Sequence, residues 1–403
     1  MAEGVSVPQR GSQVRGRILR TAIIAGALIL SGCQSVVPRR AGPVAPPPPR
    51  VVQVQPQRVE PGIPTDTARH RVALLVPLSG PAGGFGQSLA NATQMALLDT
   101  KNEQVRITTY DTVGGAAAAA QKALADGNRL ILGPLLAEDV RAVAPIARRA
   151  GVPVVSFSND STAAGNGAYT MGYAPGQSIE RVVQYAKAQG VSDFAGLVPN
   201  GTYGQRASTA FLRAVESAGG QVLTLQTYDR KPGSMTTAIS RMAHNSPYQA
   251  VLIADAGTAA AAAVPLIRKN GSAGVHVLGT ELWISEGSIA GKPALAGAWF
   301  AGVSDELYRH YAAKYRARFG VGPYRMSSLG YDAVLLTVRI ARDWPMNAPF
   351  PEERLRDHDG FSGIDGAFRF GRDDVAERAL EVKELRGGTI VVVSPAPSGF
   401  ADR

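Results

Sequence analysis

The chain has 403 residues, room for two ordinary domains with well-buried cores. Apolar residues make up 45% and charged residues 18%, which excludes disorder over most of the length. Aromatics at 6% are too sparse for a base-stacking nucleic-acid binder, and the lone cysteine, Cys33, excludes an internal disulfide framework or a cysteine-built zinc or iron–sulfur site. The formal charge of +10 is unevenly placed: ten arginines and only three acids stand before Val72, so the rest of the chain is close to neutral and no nucleic acid partner is indicated.

Arg10, Arg15, Arg17 and Arg20 precede a short apolar run, Thr21 to Leu30, which is too short to span a bilayer but has the length of a secretory h-region. It ends in Leu30-Ser31-Gly32-Cys33, directly before Gln34. This resembles the bacterial lipobox, and the resemblance implies cleavage after residue 32 and lipidation of Cys33, with acyl chains anchoring the chain to a membrane. In that pattern an Asp after the cysteine retains the protein at the inner membrane. Gln34 in its place implies the outer membrane, facing the periplasm.

Residues 33–70 change composition sharply. Nine of the 27 prolines lie here, four of them consecutive from Pro46 to Pro49, with no apolar periodicity. This reads as a semi-rigid polyproline-like tether, with a fully extended reach on the order of 100 Å at ~3.1 Å per residue.

From Arg71 onward, continuous apolar runs alternate with alanine-rich helical stretches. Strands are expected at Val72–Val76, Val105–Tyr110, Leu130–Leu132 and Val152–Phe157, with helices near 87–98, 115–125 and 138–150 between or after them. A second set follows: helices near 177–189, 204–218, 236–244 and 258–269, and strands near 194–198, 221–228, 250–254 and 275–278. Strands without alternation mean sheets covered on both faces, hence an α/β fold of two Rossmann-like lobes with parallel sheets. Loops after the strands then gather on one edge, where ligands bind.

Several phrases in order carry a family resemblance. Val72-Ala-Leu-Leu-Val-Pro-Leu-Ser-Gly-Pro81, Gly86-Gln87, Ile131-Leu-Gly-Pro134, Gly151-Val-Pro-Val-Val-Ser156, Tyr203-Gly204, Gly330-Tyr-Asp-Ala333 and Phe361-Ser-Gly-Ile-Asp-Gly366 resemble type 1 periplasmic binding proteins of the leucine-binding class. That implies a Venus-flytrap architecture in which the chain crosses between lobes three times. Lobe I is then 71–172 with 302–380, lobe II is 173–301 with 381–394, and 395–403 is a tail. Within this superfamily the opening phrase, Gly279-Thr280 with Trp283, and Ala294-Leu-Ala-Gly-Ala-Trp-Phe300 look closest to LppC-type lipoproteins, the penicillin-binding protein activators.

A free amino acid needs hydroxyls and N–H groups for its carboxylate and an acid for its ammonium. The cleft candidates are Ser79 and Phe85 in the first loop, Ala137 and Glu138 after the third strand, Ser158 and Asp160 after the fourth, Tyr203 in the second lobe, and Glu281 where the resemblance puts the ammonium-binding acid. Glu138, Asp139 and Asp160 would repel a ligand carboxylate, so the cleft reads as degenerate for α-amino acids. Glu138 and Asp139 also suit a helix start, Tyr203 also suits packing on the lobe face, and Glu281 also reads as a solvated acid at the cleft edge.

Catalysis is not indicated. His70, His244, His276, His310 and His358 are scattered, Ser79 lacks a G-x-S-x-G setting, and no phosphate loop occurs, so neither metal nor cofactor is expected. Two functions remain. The LppC-like phrases imply a non-enzymatic lipoprotein that docks on a bifunctional peptidoglycan synthase and stimulates it, although no helical-repeat domain precedes the fold here. The alternative is a lipid-anchored amino-acid receptor that delivers a small ligand to an ABC permease.

Overall fold

The computed structural model describes residues 68–245, 247–397 and 400. The expected leader 1–32, Cys33 and the tether up to residue 67 lie outside the described residues, as does most of the tail.

The first sheet grows from β1 (His70–Val76), followed by α1 (Gly83–Thr100), β2 (Val105–Asp111), α2 (Ala116–Ala125), β3 (Leu130–Leu132), α3 (Ala137–Arg149), β4 (Val154–Ser156) and β5 (Ala168–Thr170). Its order is β2-β1-β3-β4-β5, parallel throughout. The side chains of β1 divide as a doubly covered strand requires: Val72, Leu74 and Val76 enter one core, Ala73 and Leu75 the other. The short strand β5 was not anticipated. Its three residues, Ala168-Tyr-Thr170, give no periodic signal; it forms by pairing with β4, with Thr170 bridging to Val375 on the other side.

The chain then enters lobe II through α4 (Pro175–Ala188), β6 (Asp193–Pro199), α5 (Thr202–Ser217), β7 (Gln221–Tyr228), α6 (Ser234–Met242), β8 (Ala250–Ile253), α7 (Gly257–Lys269), β9 (His276–Gly279) and β10 (Trp299–Gly302). It returns to lobe I for α8 (Glu306–Phe319), α9 (Ser328–Ala341) and a small antiparallel sheet of β11 (Phe361–Gly363), β12 (Gly366–Phe370) and β13 (Ala376–Arg378). It ends in lobe II with β14 (Glu381–Arg386) and β15 (Thr389–Ser394). Leu329, Trp344, Phe350, Phe361 and Phe368 share a core with β1, β3 and β4, which is why this later segment belongs to the first lobe.

The second sheet has the order β15-β14-β10-β9-β8-β6-β7, and it is not parallel throughout: β14 runs antiparallel to β10 and β15 antiparallel to β14. The cause is local. Gly387 and Gly388, both at positive φ, form the two-residue turn of a hairpin, and a tight hairpin forces antiparallel pairing.

Candidate ligand-binding cleft

In both lobes the helix that follows the first strand starts hard against the end of that strand. A Cβ on Gly86 of α1 would lie 1.7 Å from the Pro77 carbonyl oxygen, and one on Gly204 of α5 would lie 1.6 Å from that of Pro199. Only glycine permits this approach, which brings the loops before α1 and α5 to the carboxyl edges of the two sheets.

Between the lobes lies a cleft of about 900 Å³. Lobe I lines it with an apolar wall that includes Phe85, Leu135, Leu136, Phe157, Met326 and Leu329. Lobe II faces that wall with Arg230, Asp255, Glu281, Ser285 and Glu286. The Phe85 and Tyr324 rings meet at 4.4 Å on the rim.

Glu281 is the unusual member. Contrary to the reading of a solvated edge acid, it is 7% exposed, because a 3-10 turn (Glu281–Ser285) folds it down onto α4 and α5. The Tyr203 hydroxyl donates to Oε1 at 3.1 Å, and the Glu281 amide donates to the Ser178 hydroxyl at 2.9 Å. Oε2 accepts nothing. Burial pushes this carboxyl up to about 7, against the opposing effects of the Tyr203 and Ser178 hydrogen bonds. The remaining acids of the lobe II wall have partners. Asp255 accepts from Tyr228, from Arg230 at 3.0 Å and from the Ala256 amide, while Glu286 caps α7 by accepting from the Gly257 and Thr258 amides.

The other sequence candidates separate. Phe85 and Glu281 line the cleft together, and Tyr203 stands behind Glu281, bonded to it and to Thr280. Ser79 is exposed in the β1–α1 loop and Glu138 is exposed in the first turn of α3, with Ala137 half-buried beside it; none of the three lines the cleft. Ser158 is 3% exposed, and its hydroxyl accepts from the Asp160 amide. Ser156 is likewise consumed, donating to the Pro134 carbonyl and accepting from the Ser158 amide. Asp160 requires a correction: it is no free anion awaiting a ligand, because Arg141 and Arg206 both reach its Oδ2 at 2.5 Å. Burial favours its neutral form, but Thr162, Arg141 and Arg206 outweigh that and hold its carboxyl below the ordinary range.

Sequence reasoning missed the floor of the cleft, formed by Tyr173 and Arg325. Asp365, 0% exposed, accepts from Tyr173 at 2.5 Å, Arg325 at 2.6 Å and Ser328 at 2.8 Å. The only signal was Asp365 inside the family-like closing phrase; neither Tyr173 nor Arg325 stood in a motif. Among the described residues no group of three or more His, Cys, Asp or Glu is placed to hold a metal.

Two α/β lobes, joined by three crossings and lined on facing sheet edges, define a two-lobed binding protein. The chain belongs to the periplasmic binding protein family, whose profile matches residues 70–388. A Rhodospirillum rubrum structure whose name ties it to a branched-chain amino acid ABC transporter is 20% identical, with a TM-score of 0.72 over 81% of this chain and 100% of that one. A leucine-binding protein from Thermotoga maritima is also 20% identical, with a TM-score of 0.61 over 82% of this chain and 99% of its own. Among curated sequences, the uncharacterized protein RP748 of Rickettsia prowazekii (strain Madrid E) is 24% identical over 177 residues, 43% of this chain and 47% of the other. The match thus spans about half the length of that relative.

Proposed function

We propose that this chain is a solute receptor of an ABC importer, held at the cell envelope through lipidated Cys33, and that it closes on a small molecule between its lobes. The observation that carries this reading is the 900 Å³ cleft, in which an apolar wall from one lobe faces a buried carboxyl with an unpartnered oxygen from the other. The names of the structural neighbours support the same reading, since they are tied to ABC transporters and to leucine binding. A ligand that binds only the folded state raises the melting temperature by mass action, by several degrees at a hundredfold excess over Kd. A thermal-shift screen of amino acids, amines and organic acids checks this, and the absence of any shift at millimolar concentration rejects it.

A second reading places the chain at the outer membrane as a non-enzymatic regulator of a peptidoglycan synthase. It rests on the LppC-like phrases of the sequence, Gly279-Thr280 with Trp283 and Ala294 to Phe300. Retention of a purified synthase on the immobilised protein, with faster glycan polymerisation, supports it. No retention and no stimulation excludes it.

A further inference from the structure

Taking the receptor reading as given, we infer that the cleft selects an apolar primary amine that carries no carboxylate. The argument comes from what each wall has free to offer. On lobe I, Ser156 at the end of β4 donates its hydroxyl to the Pro134 carbonyl and Ser158 accepts from the Asp160 amide, and both residues are buried. Asp160 beside them is an anion already bound by two arginines. The wall left to the cleft is mostly apolar, Phe85, Leu135, Leu136, Phe157, Met326 and Leu329 with the neutral amide of Asn159 among them, a surface that rewards a hydrocarbon body and offers a carboxylate no unpaired cation.

On lobe II the α7 amides, an anion site in principle, are filled by Glu286. Three acids, Asp255, Glu281 and Glu286, stand against one arginine, Arg230, and Arg230 is engaged with Asp255. Arg325 on the floor is neutralised by Asp365 and Asp305. The excess charge of the lobe II wall is therefore negative, and its one buried oxygen without a partner is an acceptor, Oε2 of Glu281. An ammonium supplies both the charge and the donor.

Proton accounting gives the inference a signature. At pH 6 Glu281 is largely a carboxylic acid, so an incoming ammonium converts it to a carboxylate and one proton leaves to solvent. The groups facing it are Tyr203 of α5, Ser178 of α4 and Thr280, with Asp255 and Arg230 further along the same wall. Tyr203 is held protonated by burial and by Glu281, so it releases nothing in this range.

The test is calorimetric titration of the whole chain with two matched sets: phenethylamine, phenylalanine and 3-phenylpropionate, and 3-methylbutylamine, leucine and 4-methylpentanoate. The expected result is at least tenfold tighter binding of an amine than of its amino acid and acid. Amine binding is expected to strengthen from pH 6 to pH 8 and to release a proton at pH 6. Glu281→Gln, which keeps shape and the Tyr203 bond, should weaken the amine at least tenfold and leave the melting temperature intact at pH 6. Equal or tighter binding of an amino acid or acid overturns the inference while leaving the receptor reading standing. So does binding confined to other solutes of the screen. Silence from every solute overturns both.

Discussion

Asp160 of lobe I and Arg206 of lobe II meet at 2.5 Å, with the Asp160 side chain 2% exposed and the Arg206 side chain 29% exposed. The loop after β4 and the first turns of α5 are thereby fastened to one another across the boundary between the lobes. Arg206→Ala leaves Asp160 with Arg141 and Thr162 but removes a charge-assisted bond, an expected loss of about 2 kcal/mol. The folded-state carboxyl of Asp160 lies below its unfolded value, so its contribution is present above pH ~4 and disappears as pH falls through the folded value. Urea midpoints should therefore separate the wild type from Asp160→Asn at pH 7, and the gap should narrow as pH falls below ~4. An unchanged gap at pH 3 refutes the assignment.

Glu281 runs in the opposite sense. Its folded-state value of about 7 exceeds the unfolded value of ~4.3, so between these the folded protein keeps a proton that the unfolded chain has released. Stability is then greatest below pH ~4.3, falls as pH rises to about 7 and is flat above. The integrated loss is on the order of 3 kcal/mol. Glu281→Gln should abolish that slope. Chemical denaturation at intervals from pH 4 to pH 8 checks it, and parallel profiles for the two proteins count against a buried, unpartnered carboxyl.

The extent to which this was legible in the sequence follows from the range of the interactions. Val72 to Val76 and Ala250 to Ile253 read as doubly buried strands because every residue in them is apolar, a property of the segment alone. Glu281 and Asp160 were visible as acids in the right loops, but their states were not. Whether Asp160 is free depends on Arg206, forty-six positions away and in the other lobe, and whether Glu281 is solvated depends on a 3-10 turn with no periodic signature. Gly387-Gly388 is a local hairpin signal, with Thr389 to Ser394 beside it uncharged and mostly β-branched. Arg325 and Tyr173 carried no local pattern at all, since their role rests on Asp365, which is distant in sequence.

That buried cluster gives a contrast between neighbouring acids. Burial opposes charge on Asp365, but Arg325 and then Arg378 hold it below the ordinary carboxylate range, whereas burial and the adjacent Asp365 push Asp332 up, so that it stays protonated. Asp365→Asn strips the counter-charge from Arg325, whose side chain is 5% exposed, and should cost about 3–5 kcal/mol. Asp332→Asn replaces a neutral group with a neutral one, keeps an acceptor for the Ile364 amide and should cost about 1 kcal/mol. Equal losses in guanidinium denaturation would show that the two acids share the charge.

The last expectation concerns the glycines that seat the helices on the sheets. Gly86→Ala and Gly204→Ala each push a methyl group into a backbone carbonyl, and neither Pro77 nor Pro199 has freedom to withdraw, so each should cost about 3 kcal/mol. Gly176 of α4 is the control: its new methyl would meet only the Ala210 side chain at 3.7 Å, an ordinary contact, so alanine there should be neutral or stabilising by up to about 1 kcal/mol. Gly204→Ala carries a further consequence. It displaces the first turn of α5, and with it Tyr203, whose hydroxyl fixes Oε1 of Glu281. Ligand affinity should therefore fall more for Gly204→Ala than for Gly86→Ala at matched stability. Isothermal titration of both variants with the same ligand decides the point, and equal affinities would detach Tyr203 from the site.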